Sequence, residues 1–211
     1  MNSLTMKPED IETESFRIID AEVGTHDWSA AEWQIVRRAI HTSADFEYAG
    51  SMVFSASAVE KAVAALKSGA GIVTDTNMVL SGISKPRLVP WGCTVACHIA
   101  DSDVGVLAKR AGATRSILAM RKAVADLHNR IFVIGNAPTA LFELLRLIEA
   151  GQARPALIIG LPVGFVGAEA SKNILAATDG SIPFITNRGR KGGSSVAASV
   201  VNALAILAAG K

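Results

Sequence analysis

Residues 37–48 read RRAIHTSADFEY, and His41 follows Arg37 by four positions and Arg38 by three. On a helix that spacing puts the imidazole and both guanidinium groups on one flank. Histidine takes up and releases protons near neutral pH, so the trio suits a general acid set beside an anion-binding pair. On spacing alone, however, a lone histidine at a helix C-terminus is usually a cap, and catalysis is the less favoured of the two readings. In the capping reading, Asp45 and Glu47 pair with the two arginines.

A second group of cations lies in NRGRKGGSS, where Arg188, Arg190 and Lys191 precede glycines and serines that open the last helix. Unpaired N–H groups at a helix start, the helix dipole and three cations favour an anion site over a merely solvated basic loop. From Gly180 to the C-terminus there is no Asp or Glu, so nothing local neutralises that charge. In GATRSILAMRKA, Arg115 stands beside Ser116 ahead of another helical run, where a ligand contact and a structural salt bridge explain it equally well. Lys85 and Arg87, in a loop stiffened by Pro86 and Pro90, read as solvated surface. The P-loop order G-x4-G-K-[ST] is absent and GNAPTA lacks G-x-G-x-x-G, which disfavours a nucleotide-dependent enzyme. No G-x-S-x-G supplies an acyl-transfer nucleophile. His26, His98 and His128 show no metal-ligand spacing, so no protein-held metal is expected. Cys93 and Cys97, spaced C-x3-C, read as two buried thiols of a reduced cytosol.

The elements that must position these groups follow from composition and periodicity. Of 211 residues, 50% are hydrophobic but only 5% aromatic, and small aliphatics of this kind suit strands buried on both faces. SAAEWQIVRRAIH predicts a helix over about residues 29–41, capped by Ser29 with Glu32 completing a capping box and Ala30, Trp33, Val36 and Ile40 on its apolar stripe. SASAVEKAVAALKSG predicts another, capped by Ser55 or Ser57 and ended by Gly69, before a strand, AGIVTD, that ends in Asp75. RIFVIGNAPTALFELLRLIEAG, PALIIGLPVGFVGAEASKNILAAT and SIPFITNRGRKGGSSVAASVVNALAILAAG then repeat strand, loop and helix. That grammar gives right-handed βαβ units and one doubly wound α/β/α domain over residues 1–211, its sheet mostly parallel, with an N-terminal helical part over 1–50. Ligands in such sheets bind beyond the carboxyl ends of the strands. A net charge of +2 without a basic run gives no sign of nucleic acid. The N-terminus lacks the apolar core of a secretory signal, and the longest apolar stretch is too short and too interrupted to span a bilayer. A soluble, cytoplasmic protein is expected.

ESFRIIDAE, VRRAIHTSADFEY, GNAPTALFELL and GLPVGFVGAEASK followed by NRGRKGGS, in this order and over nearly the whole chain, resemble the precorrin-8X methylmutase family of corrin biosynthesis. The chain reads GAEASK where the family pattern is closer to GA-x-ESK. The resemblance implies a flavodoxin-like α/β/α fold and a homodimer with its site near the subunit interface. It also implies an isomerase that moves a methyl group from C-11 to C-12 of a tetrapyrrole by a 1,5-sigmatropic shift, without a separate cofactor. The product would be hydrogenobyrinate from precorrin-8X or cobyrinate from its cobalt form, and TSADFEY is more similar to the cobalt-early branch. His41 matches the family's catalytic histidine, which protonates a ring nitrogen, and Ser15 and Arg38 match its substrate contacts. Arg115, Arg188 and Arg190 join them as partners for the substrate's carboxylates, on the anion-site argument alone. A non-catalytic tetrapyrrole carrier is the competing reading.

Overall fold

A computed structural model describes residues 7–178, 180 and 182–210 of the chain. Residues 1–6, the start of the N-terminal stretch read as lacking a secretory signal, lie outside the described residues. The elements in order are α1 (Pro8–Val23), α2 (Ala30–Ser43), a single turn α3 (Tyr48–Ser51), β1 (Met52–Phe54), α4 (Ala58–Lys67), β2 (Gly71–Thr74), α5 (Asn77–Gly82) and α6 (Lys85–Leu88). There follow β3 (Val95–Cys97), α7 (Ser102–Ala111), α8 (Arg115–Val124), β4 (Asn129–Ile134), α9 (Pro138–Glu149), β5 (Leu157–Gly160), α10 (Ala168–Ala176), β6 (Phe184–Asn187) and α11 (Ser194–Ala208).

The six strands form one sheet in the order β1-β6-β5-β4-β2-β3. From β2 onward every pairing is parallel, and these five strands follow the flavodoxin order, reversing direction of travel between β2 and β4. The exception is β1, which pairs antiparallel with β6 at the edge. Three residues cannot show the alternation that marks a strand in sequence. Tertiary partners hold β1 instead, with Ser55 and Phe184 exchanging hydrogen bonds at one end and the Arg188 amide donating to the Ser51 carbonyl at the other.

Side chains alternate across the strands and split the interior in two. Ile72, Ile131, Val133, Leu157, Ile159 and Ile185 face α2, α4, α5 and α11, whereas Phe132, Ile134, Ile158 and Phe184 face α8, α9 and α10. Nearly every side of α11 is apolar, including Val196, Val200, Val201 and Leu204, because the helix lies sandwiched between the sheet and α2. Each such aliphatic side chain contributes about 1.5–3 kcal/mol on burial.

On α2 the expected capping box forms, with Ser29 accepting from the Glu32 amide and the Glu32 carboxylate accepting from the Ser29 amide. Its buried stripe is Ile35, Val36, Ala39 and Ile40. Trp33 is only half-buried, its indole N–H reaching Asp20 of α1, and Ala30 is exposed, since α2 fits between α11 and α1 and its first turn protrudes. At α4, Ser57 precedes the helix without a side-chain cap bond, and Ser55 is taken by the β6 edge. Among the described residues no helix is long and apolar enough to cross a membrane.

Candidate active site

Helix α1 runs antiparallel along α2, and Phe16 on its inner side is the point around which the first cationic group gathers. The Arg37 and Arg38 guanidinium carbons lie 4.3 and 4.7 Å from the Phe16 ring centre. The His41 ring meets the same phenyl edge-on, at 5.3 Å between centroids and 67° between planes. Asp20 accepts from Arg37 at 2.8 Å and Glu12 pairs with Arg38, so both arginines are anchored by α1. The pairing with Asp45 and Glu47 that the capping reading entails is not the one found: carboxylates of the neighbouring helix are nearer than those beyond the C-terminal turn. Ser15 precedes Phe16, and its hydroxyl donates to the Ile11 carbonyl at 2.8 Å, leaving its oxygen free to accept. A cavity of about 240 Å³ opens between Phe16, Gln34, Arg37, Arg38, Ala203 and Ile206.

His41 does not act as the hydrogen-bonding cap of α2. That role belongs to Ser43, whose hydroxyl donates to the Ala39 carbonyl at 2.8 Å and accepts from the Asp45 amide at 3.2 Å, while Ala44 turns the chain left-handed. His41 is half-buried and makes no hydrogen bond among the described residues. Its ring nitrogens are thus available to a ligand.

The second cationic group lies at the carboxyl edge of the sheet, in the loop from β6 to α11. Lys191 is not free there, because it pairs with Asp45 at 2.6 Å and Glu47 at 2.9 Å. Hydrogen bonding from Lys191 holds the Asp45 carboxyl below the usual aspartate range. This bridge ties the loop to the chain just past His41, and the Tyr48 hydroxyl adds a long contact of 3.5 Å to the Gly192 carbonyl. No local carboxylate neutralises the loop, as the sequence implies; the charge that pairs with Lys191 comes from 146 residues away. Arg188 and Arg190 remain exposed; Arg190 lies 4.0 Å from Glu169 and over the ring of Phe165, and Arg188 has no side-chain partner among the described residues. Phe165 and Val166, 86% and 90% exposed, add an apolar surface beside them.

At the crevice where strand order reverses, the Asp75 carboxylate accepts from the amides of Gly135, Asn136 and Ala137 at 2.7–2.9 Å. Burial pushes this carboxyl above the usual range, and the three amides pull it down. The chain's own anion thus occupies the start of α9, where a nucleotide phosphate would otherwise bind.

A family model described as precorrin-8X methylmutase matches residues 10–207. The chain belongs to that family. A cobalt-precorrin-8 methylmutase of Priestia megaterium is 49% identical over 97% of this chain and 90% of its own length. A precorrin-8X methylmutase of Pseudomonas aeruginosa is 43% identical over 91% and 92% of the two chains. The crystal structure of precorrin-8X methylmutase from Thermus thermophilus superimposes with a TM-score of 0.87 at 41% identity, covering 96% of this chain and 97% of that one. These relatives are isomerases of cobalamin biosynthesis.

Within this methylmutase fold, Ser15, Arg38 and His41 share the α1–α2 pair, and Arg188 and Arg190 sit on the loop bridged to the end of α2. Arg115 is set apart. It opens α8 in the opposite helical layer, its guanidinium packed beside Gly105 of α7, and neighbouring Thr114 contacts Thr139 at the start of α9. Sequence reasoning passed over Phe16, Asp75 and Lys172. Phe16 and Asp75 carry no signal apart from their partners. Lys172 does carry one, since it falls on the same α10 stripe as buried Ala168 and Leu175.

Proposed function

We propose that this chain catalyses the 1,5-sigmatropic shift of a methyl group from C-11 to C-12 of precorrin-8X or cobalt-precorrin-8, with His41 as the acid. The observation that carries this reading is the His41 imidazole, free of a capping bond and held by Phe16 beside two guanidinium groups. The reaction is an isomerisation: one carbon–carbon bond to the methyl breaks and another forms, with no atom gained or lost. No nucleophile is needed. Protonating a ring nitrogen withdraws electron density from the carbon the methyl leaves, and a positioned acid supplies about 10²–10⁴-fold.

Arg38 and Ser15 contact the macrocycle's periphery, and Arg115, Arg188 and Arg190 pair with its carboxylates, for which a planar guanidinium is the suited partner. The placement of Arg115 and His41 in opposite helical layers supports a homodimer in which two copies complete each site, and exposed Phe165 and Val166 are suited to such a contact. The substrate is a free tetrapyrrole, with no nucleic acid or membrane involved, and the enzyme acts in the cytoplasm without a separate cofactor. The post-histidine loop and the 49%-identical relative favour the cobalt form.

The test is a visible-absorbance time course with precorrin-8X and, separately, its cobalt form. Wild type converts one or both, His41→Asn binds product but turns over at least about 100-fold more slowly, and Arg38→Ala raises KM. Undiminished turnover by His41→Asn removes the acid role. Tight spectral binding by wild type without conversion makes the protein a carrier.

A further inference from the structure

Lys172 is 1% exposed in the middle of α10. A lysine is expensive to place there, and an aliphatic chain of the same length would fill the space without cost. Burial drives its amine down to about 8, with Glu169 opposing. The ammonium therefore needs a purpose that packing does not supply.

Its hydrogen bonds indicate one. Lys172 Nζ donates to Asn187 Oδ1 at 3.1 Å and to the Lys191 carbonyl at 2.5 Å. Asn187, also 1% exposed, turns its amide nitrogen to the same segment and donates to the carbonyls of Arg188 at 3.1 Å and Lys191 at 2.9 Å. Two buried side chains thus grip both ends of the stretch 188–191. The far side is fixed too, since Gly164 donates to the Arg190 carbonyl at 3.1 Å and Gly193 to that of Leu161 at 2.9 Å. A loop whose backbone is held at each end keeps its exposed arginines in one geometry before any ligand arrives, which lowers the ordering cost of binding.

We propose that Lys172 is a positioning residue of the methylmutase, holding the 188–191 loop so that Arg188 and Arg190 meet the carboxylates of the tetrapyrrole. The inference rests on the reading of that loop as a substrate contact. Lys172 acts through the loop, its bonds going to Asn187 and the Lys191 carbonyl and none to His41, so its loss falls on binding and spares the chemical step.

The experiment compares full-length wild type, Lys172→Met, Lys172→Arg and Asn187→Ala with precorrin-8X and its cobalt form. Lys172→Met raises KM by about 10–100-fold while kcat stays within about threefold, and Asn187→Ala shifts KM the same way. Lys172→Arg, which keeps a cation and N–H donors for both acceptors, recovers a KM within about fivefold of wild type. A folded Lys172→Met with wild-type KM and only a lowered melting temperature reduces the residue to structural support and overturns the proposal. Should Lys172→Met fail to fold, Asn187→Ala decides, because it loses only the amide head: a raised KM supports the positioning role and an unchanged one sinks it. Failure of wild type to convert either tetrapyrrole strikes instead at the parent reading.

Discussion

The Lys191 ammonium lies 2.6 Å from the Asp45 carboxylate, joining the loop after β6 to the chain four residues past His41. The two cationic groups of the proposed site are thereby held in one spatial relation. An ion pair this exposed adds little to overall stability, so its value lies in register between two segments.

Lys191→Met accordingly leaves the melting temperature close to wild type and raises KM for the tetrapyrrole by about 3–10-fold with kcat maintained. Steady-state kinetics beside thermal unfolding measure both. An unchanged KM would show that the buried grip on the loop suffices without the tie to α2.

Gly192 permits the close approach of the two carboxyl-edge loops. A Cβ there would lie 2.2 Å from the Leu161 carbonyl oxygen and 2.8 Å from that of Pro162, both backbone atoms that cannot swing aside. Gly192→Ala is expected to destabilise the fold by about 2 kcal/mol or more, within the range for strain at a special backbone position. Gly50→Ala, with nothing within 4 Å, serves as the tolerated control. Equal unfolding midpoints for the two variants would remove the close-approach argument.

Glu143 of α9, 6% exposed, accepts from Arg121 at 2.7 Å and from Arg146 at 2.7 Å. Hydrogen bonding from Arg146 and then from Arg121 holds its carboxyl below the usual glutamate range despite burial. Since the folded value is depressed, the stabilisation is fully present above the ordinary glutamate value and is lost as pH falls through the folded one. Glu143→Gln should cost about 1–2 kcal/mol at neutral pH, with the gap to wild type closing in acid. Denaturant unfolding at a series of pH values checks the sign; a gap that widens in acid would refute it.

Much of the architecture is legible in the chain because local rules carry it. The Ser29–Glu32 capping box, Pro138 opening α9 and the recurring strand-loop-helix runs each state their structure within a few residues. Three-residue β1 is not legible, since it is held by Ser55, Phe184 and Ser51 more than by any pattern of its own. Lys172 could have been found from its place on the α10 stripe, whereas the acceptors that make it useful lie 15 and 19 residues further on.

By itself the sequence determined which residue types were available for chemistry, the doubly wound class of the fold, and the family, because these depend on local order and on motifs that are contiguous in the chain. Tertiary structure alone decided their pairing: Arg37 and Arg38 belong to Asp20 and Glu12, Asp45 and Glu47 belong to Lys191, and Arg115 opens a helix in the opposite layer. Charges pair by distance in space, and a folded chain brings the nearest opposite charge from segments that no local spacing relates.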